Sequence, residues 1–436
     1  MASREGVVET LLSATLGLAW SFRIELTAIA AVASASAAAV RYLGPVAGSL
    51  AVAVPLAAVA AWPTGRRWTW RKLRHASLRR RYLAAVRVAG FDRLKLDRAP
   101  SVIKVRDTPA GYSLQVRLPA GTSSTDLDNT AEVTAAAMGV ADIRVARDPH
   151  RASLATVSVV QRDALSGPPL AWPLTGSPWW SLWEPIPVGL DENGDTVAVS
   201  LPEHNVLLGG EPGAGKSAAL SLLVAASALD PTVTLWLLDG KRVELAVWEP
   251  CATRLVGPDL AEAIDVLDHL RTEMDARYAQ LLAWKRRKVS PEDGLGLHVV
   301  IVDELALYLA TGDRKTRDRL AESLRDLIAR GRAAGVIVLA ATQRPSSDIV
   351  PTSVRDLFGF RWAMRCATRD SSDTILGAGW AAEGYSASDI DPANRGVGYL
   401  LHEGGTPLRM RSAYLDDPTL NAIADRAASI RHSHET

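Results

Sequence analysis

Cysteine is almost absent. Cys251 and Cys366 are the only two in 436 residues and lie far apart, which excludes a disulfide framework or a cysteine zinc site and fits a reducing compartment. No sign of charge dominates either. Forty-nine Lys and Arg against 48 Asp and Glu leave a net charge of +1, so no global field argues for a nucleic acid or membrane partner. The eight histidines show no metal-ligand spacing, and His432 and His434 fall in a polar end. What is there is ample for folding: 48% apolar and 22% charged residues exclude compositional disorder. The length suggests two or three domains at roughly 150 residues each.

Charge is locally missing near the start. Residues 1–62 hold six charges. LTAIAAVASASAAAV (Leu26 to Val40) has none, and neither do the 24 residues from Tyr42 to Gly65. A spanning helix needs about 20 mostly apolar residues; the second window has that length, and the first approaches it if Arg41 snorkels. Between Arg66 and Arg81 there are then eight Lys or Arg and no acid, beside Trp62, Trp68 and Trp70. Interfacial aromatics with basic residues beyond them place that side in the cytoplasm. The expectation is a membrane anchor over residues 1–65, a transmembrane helical hairpin turning at Gly44-Pro45, followed by a basic juxtamembrane segment at 66–98. Residues 6–22 could form an interfacial helix. Two alternatives stay open: alanine-rich helices outside a membrane, and phosphate contact by the basic run.

Short strands follow. VIKV (102–105), YSLQVRL (112–118), IRV (143–145) and ATVSVV (155–160), with a helix over 125–138, predict a small α/β domain at 99–164. Residues 165–187 read as a Pro- and Trp-rich connector. VGLDENGDTVAVSL, centred on Asn193-Gly194, reads as a hairpin, and a larger domain runs from 188 to 416, with a tail at 417–436.

The larger domain carries the chemistry. Gly210, Gly215, Lys216 and Ser217 fit G-x-x-x-x-G-K-[ST], between the apolar strand NVLL and an apolar helix. In such a loop, spanning Gly210, Glu211, Pro212, Gly213, Ala214, Gly215, Lys216 and Ser217, backbone N–H groups cradle phosphates, the lysine reaches the outer phosphates and the hydroxyl ligates Mg²⁺. ATP and Mg²⁺ are therefore the expected ligands. LHVVIVDE (297–304) is a strand ending in two acids: Asp303 would hold Mg²⁺ through water, and Glu304 would orient or deprotonate the attacking water. GVIVLAATQ ends at Gln343, placed to sense a γ-phosphate. Between these strands an amphipathic helix ends at Arg330 and Arg332, either of which could reach a neighbouring subunit's nucleotide.

GGEPGAGKS, LLDGKRVEL, VVIVDELALYL and GRAAGVIVLAATQRPSSDIVP, in that order, with EMDARYAQL and the closing GVGYLL and PLRMRSAY, resemble the FtsK/SpoIIIE family of DNA translocases over roughly residues 185–415. The resemblance implies an α/β, RecA-like P-loop (ASCE) ATPase core behind a small α/β pre-motor domain, assembled as a homo-hexamer around double-stranded DNA. It assigns Lys216 and Ser217 to nucleotide and Mg²⁺, Asp303 and Glu304 to hydrolysis, Gln343 to sensing and Arg332 to the arginine finger. Three departures stand out. The usual Asp-Pro-Lys-Gly is Asp239-Gly240-Lys241-Arg242. The membrane part has two helices rather than four, with no long disordered linker. About 20 residues follow Tyr414, too few for a winged-helix DNA reader, so a separate sequence-specific DNA-binding protein is the expected source of sequence reading. An anchored motor of this length resembles the transfer proteins of actinobacterial conjugative plasmids and integrative elements, at the cell membrane with the motor domain cytoplasmic. The alternative is an FtsK-like ATPase for protein secretion or type IV-style coupling.

Overall fold

The computed structural model describes residues 23–47, 51, 63–91, 99–343, 345–346 and 351–435. The 6–22 segment and most of the second apolar window lie outside them. The first window falls within helix α1 (Arg23–Leu43). Among the described residues, no helix is long and apolar enough to cross a membrane. The chain divides into two compact units, residues 1–162 and 163–436.

In the first unit, helix α2 (Pro63–Val88) changes character along its length. Trp68 and Trp70 near its start are 56% and 63% exposed. Further on, Leu78, Tyr82, Ala85 and Val86 recur at helical spacing and are buried. They pack with Phe91 against a sheet of β1 (Ser101–Thr108), β2 (Gly111–Arg117), β3 (Asp142–Arg147) and β4 (Leu154–Val160). The basic segment is thus in part a core helix of the small unit, and Arg81 Nη2 donates to the carbonyl of Met138 at 2.7 Å. The four strands run in the order β1-β2-β4-β3, all antiparallel. The expected helix over 125–138 is split into α3 (Ser124–Asp128), opened by a capping box between Ser123 and Asp126, and α4 (Ala131–Met138).

The second unit is built on one large sheet. The connector adds β5 (Leu170–Ala171), and the expected hairpin is β6 (Ile186–Asp191) and β7 (Thr196–Val199). Asp191 Oδ1 there accepts from the N–H groups of Asn193 and Asp195. Then follow β8 (Val206–Gly209), α5 (Lys216–Ala228), β9 (Thr234–Leu238), β10 (Arg254–Val256), α6 (Leu260–Ala283), β11 (His298–Val302), α7 (Leu305–Ala310), α8 (Arg314–Arg330) and β12 (Val336–Thr342). The chain closes with α9 (Thr352–Arg355), β13 (Phe360–Met364), α10 (Arg369–Leu376), β14 (Val397–His402), β15 (Leu408–Tyr414) and α11 (Asp417–Glu435).

The strand order is β10-β9-β11-β12-β8-β13-β14-β15-β6-β7, with β5 alongside β15. From β10 to β13 the pairs are parallel; from β13 to β7 they are antiparallel. The central strands are apolar throughout because both faces are covered. In β11, Val299 and Ile301 enter the cluster containing α5, while Val300 and Val302 enter the one containing α6 and α8.

Two flanking segments belong to this unit more closely than a connector or a tail would. Trp172 and Leu182 are buried, with Trp172 Nε1 donating to the carbonyl of Pro187 at 2.8 Å. Helix α11 buries Ile423, Ala424 and Ala427, and Arg431 donates to the carbonyls of Ser227, Ala228, Asp230 and Val233. One guanidinium so satisfies carbonyls at the α5 carboxyl end.

Candidate nucleotide site at the carboxyl ends of the parallel strands

Register decides which residues meet. Val302 pairs with Leu238 and Ala340, and Gly209 with Thr342 and Ala363, so the strands end level. The loop after β8, Asp239 after β9, the two acids after β11 and Gln343 after β12 therefore gather at one edge, where open α/β sheets bind ligands.

The loop from Gly210 to Ser217 is held by its own backbone. Gly210 N donates to Thr342 O at 3.3 Å, Glu211 N to Arg365 O at 2.9 Å, and Gly396 N to Ala214 O at 2.9 Å. Gly215 has φ +110°, and a Cβ there would lie 2.9 Å from the backbone of Gly396, so only glycine fits. Helix α5 begins at the next residue, aiming its unpaired N–H groups and positive dipole end at the loop, a ready anion site. An ion pair not legible in the sequence, Arg365 Nη1 to Glu211 Oε2 at 2.6 Å, braces the loop from the residue after β13.

Lys216 is 4% exposed; its ammonium donates to the backbone carbonyl of Asp303 at 3.0 Å and to Oδ1 at 3.3 Å. Asp303 is fully buried, and its Oδ2 has no hydrogen-bond partner among the described residues. A carboxylate oxygen left so is costly unless something occupies it. That orphan on Asp303 and the hydroxyl of Ser217, next to Lys216 on the phosphate loop, are hard oxygen donors of the kind that suits Mg²⁺, which keeps most of its own waters. Among the described residues no three His, Cys, Asp or Glu side chains converge, as an all-protein metal cage would require.

Glu304, 7% exposed, is tied to the end of β12. Thr342 Oγ1 donates to its Oε1 at 3.0 Å, and Gln343 N contacts both carboxylate oxygens at 3.1 Å. Gln343 lines the same cavity as the phosphate loop. That cavity, about 680 Å³, is also lined by Lys241, Glu244, Arg411 and Tyr414, which lie in the LLDGKRVEL and PLRMRSAY stretches without a site role expected of them, and by Pro169 and Arg395, which lie outside the quoted stretches.

The altered Asp-Gly-Lys-Arg stretch has a structural explanation. Asp239 is fully buried and accepts from the N–H groups of Lys241, Arg242 and Leu245, closing a turn. Arg242 sits at φ +55°, a conformation favouring glycine, and occupies the position where the family motif has one. Its guanidinium lies over Gly257, where a Cβ would come 2.1 Å from Nε.

Arg332 is not brought to this site. It lies in the turn Gly331–Ala334 before β12, whereas Gln343 follows the strand, about 20 Å away by strand rise. There it pairs with Glu403 Oε2 at 3.2 Å, while Arg330 pairs with Asp326 and Asp275. The turn is fixed by EMDARY: Arg277 Nη1 donates to Ala334 O at 3.0 Å, and the Tyr278 hydroxyl to Arg330 O. The two distant motifs are thus one structural unit.

Residues 170–297 match the model of the FtsK/SpoIIIE family. A DNA translocase FtsK from Staphylococcus epidermidis is 25% identical over 261 residues, covering 55% of this chain and 31% of that protein. One from Corynebacterium glutamicum is 28% identical over 277 residues, covering 58% of this chain and 29% of that protein. The match thus spans about a third of those relatives' length. Among solved structures, the pCW3 conjugation coupling protein TcpA, in a monomer form with ATPgS, superposes with TM-score 0.55 at 18% identity, covering 80% of this chain and 99% of that one. EssC (ATPases 2 and 3) from Geobacillus thermodenitrificans gives TM-score 0.51 at 15% identity, over 62% and 52%. These likenesses show the fold, an α/β architecture shared with ATPases. The phosphate loop and the strand register agree with the match of residues 170–297 to the FtsK/SpoIIIE family.

Proposed function

We propose that this protein is a membrane-anchored, ATP-driven translocase of double-stranded DNA, acting in conjugative transfer or in chromosome or plasmid movement at the septum. The observation that carries the ATPase part is the buried contact of Lys216, on the phosphate loop, with Asp303, one of whose oxygens is left unsatisfied among the described residues. The DNA part rests on the relatives, which are named DNA translocases. The transfer part rests on the conjugation coupling protein with the same fold.

In this reading the N–H groups of Gly213 to Ser217 bind the β- and γ-phosphates, and Lys216 neutralises them from the Asp303 side. Ser217 and, through water, Asp303 hold Mg²⁺. An ion held by these two residues would supply neutralisation of the phosphate charge. Glu304 orients the attacking water and accepts its proton. Its contacts with Thr342 and Gln343 connect that carboxylate to the residue proposed to sense the γ-phosphate. Arg332 acts on the nucleotide of a neighbouring subunit in a homo-hexamer, a contribution of about 10³ to 10⁵ in rate where arginine fingers operate. Its distance from the site within its own subunit fits a role only in trans. The N-terminal apolar windows form the membrane hairpin, with the motor cytoplasmic, and a separate DNA-binding protein supplies sequence reading.

Nucleotide binding and turnover in two variants test the site. Lys216→Ala is expected to lose binding, and Glu304→Gln to bind ATP without hydrolysing it; wild-type turnover in either overturns the assignment.

A further inference from the structure

Arg411, on β15, is 92% buried, being 8% exposed, and lines the cavity next to the phosphate loop. Its Nη2 donates to the carbonyl of Gly167 at 3.0 Å, while Nη1 has no partner among the described residues. A buried guanidinium is always charged, and a charge with an unmatched N–H is retained at a cost unless an acceptor arrives.

The backbone places β15 beside the phosphate loop. Ala214 O accepts from Gly396 N, and Gly396 O accepts from Ser412 N, both at 2.9 Å, so β15 is tied to the phosphate loop through one residue. A Cβ built on Gly396 would meet Ser412 Oγ at 3.0 Å and Arg411 Cγ at 3.8 Å, an ordinary van der Waals distance, so the Arg411 stem lies directly beside this residue. Topology then selects the ligand atom. Asp303 and Glu304 follow β11 and Gln343 follows β12, on one side of β8, whereas β14 and β15 lie on the other. With the outer phosphates toward the acids, as the nucleotide reading above has them, β15 lies on the side of the inner phosphate and the nucleoside. A permanent cation with a free donor matches an anionic oxygen better than a neutral base.

Resting on the nucleotide reading above, we propose that Arg411 binds the α-phosphate of a nucleoside di- or triphosphate, irrespective of its base. It does so from the face of the loop opposite Lys216 and Asp303.

The test measures equilibrium binding of ATP, ADP, GTP and inorganic pyrophosphate to the full chain, in wild type, Arg411→Gln and Arg411→Lys. Thermal unfolding without ligand checks folding of each. Arg411→Gln is expected to weaken ATP and ADP by one common factor, about 10- to 100-fold as for a lost charge-assisted hydrogen bond. Pyrophosphate binding and the ATP-to-GTP ratio should stay unchanged. Arg411→Lys should show the same pattern with a smaller loss, and it serves alone if the glutamine variant does not fold. A loss confined to ATP, a changed base preference, or no change overturns the α-phosphate assignment and leaves the nucleotide site standing. Wild-type protein that binds none of the four probes overturns the nucleotide reading itself.

Discussion

The ammonium of Lys216 lies between the backbone carbonyl and the Oδ1 of Asp303, and both side chains are removed from solvent. One contact so joins the phosphate loop to the acid after β11. Breaking a buried pair leaves the remaining charge without compensation, at a cost of about 3–5 kcal/mol. Lys216→Ala should therefore lower the free energy of unfolding by about that much, besides losing nucleotide binding. Denaturant titration of the two proteins without ligand reads it, and equal midpoints would show that the contact contributes nothing to stability.

Glu304 should separate binding from chemistry. Its carboxylate is already held by Thr342 Oγ1 and Gln343 N, so an amide of the same shape keeps the loop in place. Glu304→Gln is expected to bind ATP within a few-fold of wild type while turnover falls about 10²- to 10⁴-fold, the range for losing a general base. Single-turnover hydrolysis after mixing with ATP measures it. A residual rate near wild type would give the proton-accepting role to another group.

Arg332 makes a prediction that only an assembly can meet. It sits at the amino end of β12, paired with Glu403, far from its own phosphate loop. Arg332→Ala and Lys216→Ala proteins, each inactive alone, should recover part of the hydrolysis rate when mixed, because some interfaces combine an intact loop with an intact arginine. No recovery in co-assembled mixtures would remove Arg332 from catalysis.

His298 sets a pH dependence of stability. Burial, with smaller effects from Arg277 and His269, lowers its pKa from the ordinary 6.5 to about 3. Trp236 Nε1 donates to its Nδ1 at 3.2 Å, a contact only the neutral ring can accept. Because the folded pKa is depressed, the unfolded chain binds the extra proton between those two values. Its contribution is complete above pH 6.5 and is lost as pH falls toward 3, by up to about 1.4 kcal/mol per pH unit. Urea midpoints from pH 7 to 5 should fall more steeply for wild type than for His298→Leu. Parallel slopes would contradict the assignment.

The readable parts of the sequence were those where local chemistry and spacing coincide. The Gly-Lys-Ser loop, the apolar run into Asp303-Glu304 and the Asn193-Gly194 hairpin each stand where expected, because short-range backbone demands fix them. Residues meeting across long separations were not readable. Arg365 against Glu211, Arg277 against Ala334 and Arg411 against Gly167 depend on sheet order, which periodicity does not encode. The segments at 165–187 and 417–436 looked peripheral for the same reason. Their tryptophan, alanine and arginine contacts are with α5 and the sheet, not with sequence neighbours. Arg242 adopts a positive φ that a motif comparison can flag only as a substitution.

The central claim is that hydrolysis at Lys216, Asp303 and Glu304 moves duplex DNA. The most direct measurement is ATP hydrolysis by the full chain with and without long linear double-stranded DNA, alongside Glu304→Gln. Strong stimulation by duplex is expected in wild type, weakening steeply with added salt as backbone phosphate contacts require, and none in Glu304→Gln. A rate indifferent to DNA, in protein shown to assemble, would contradict it and point to protein export by the same fold.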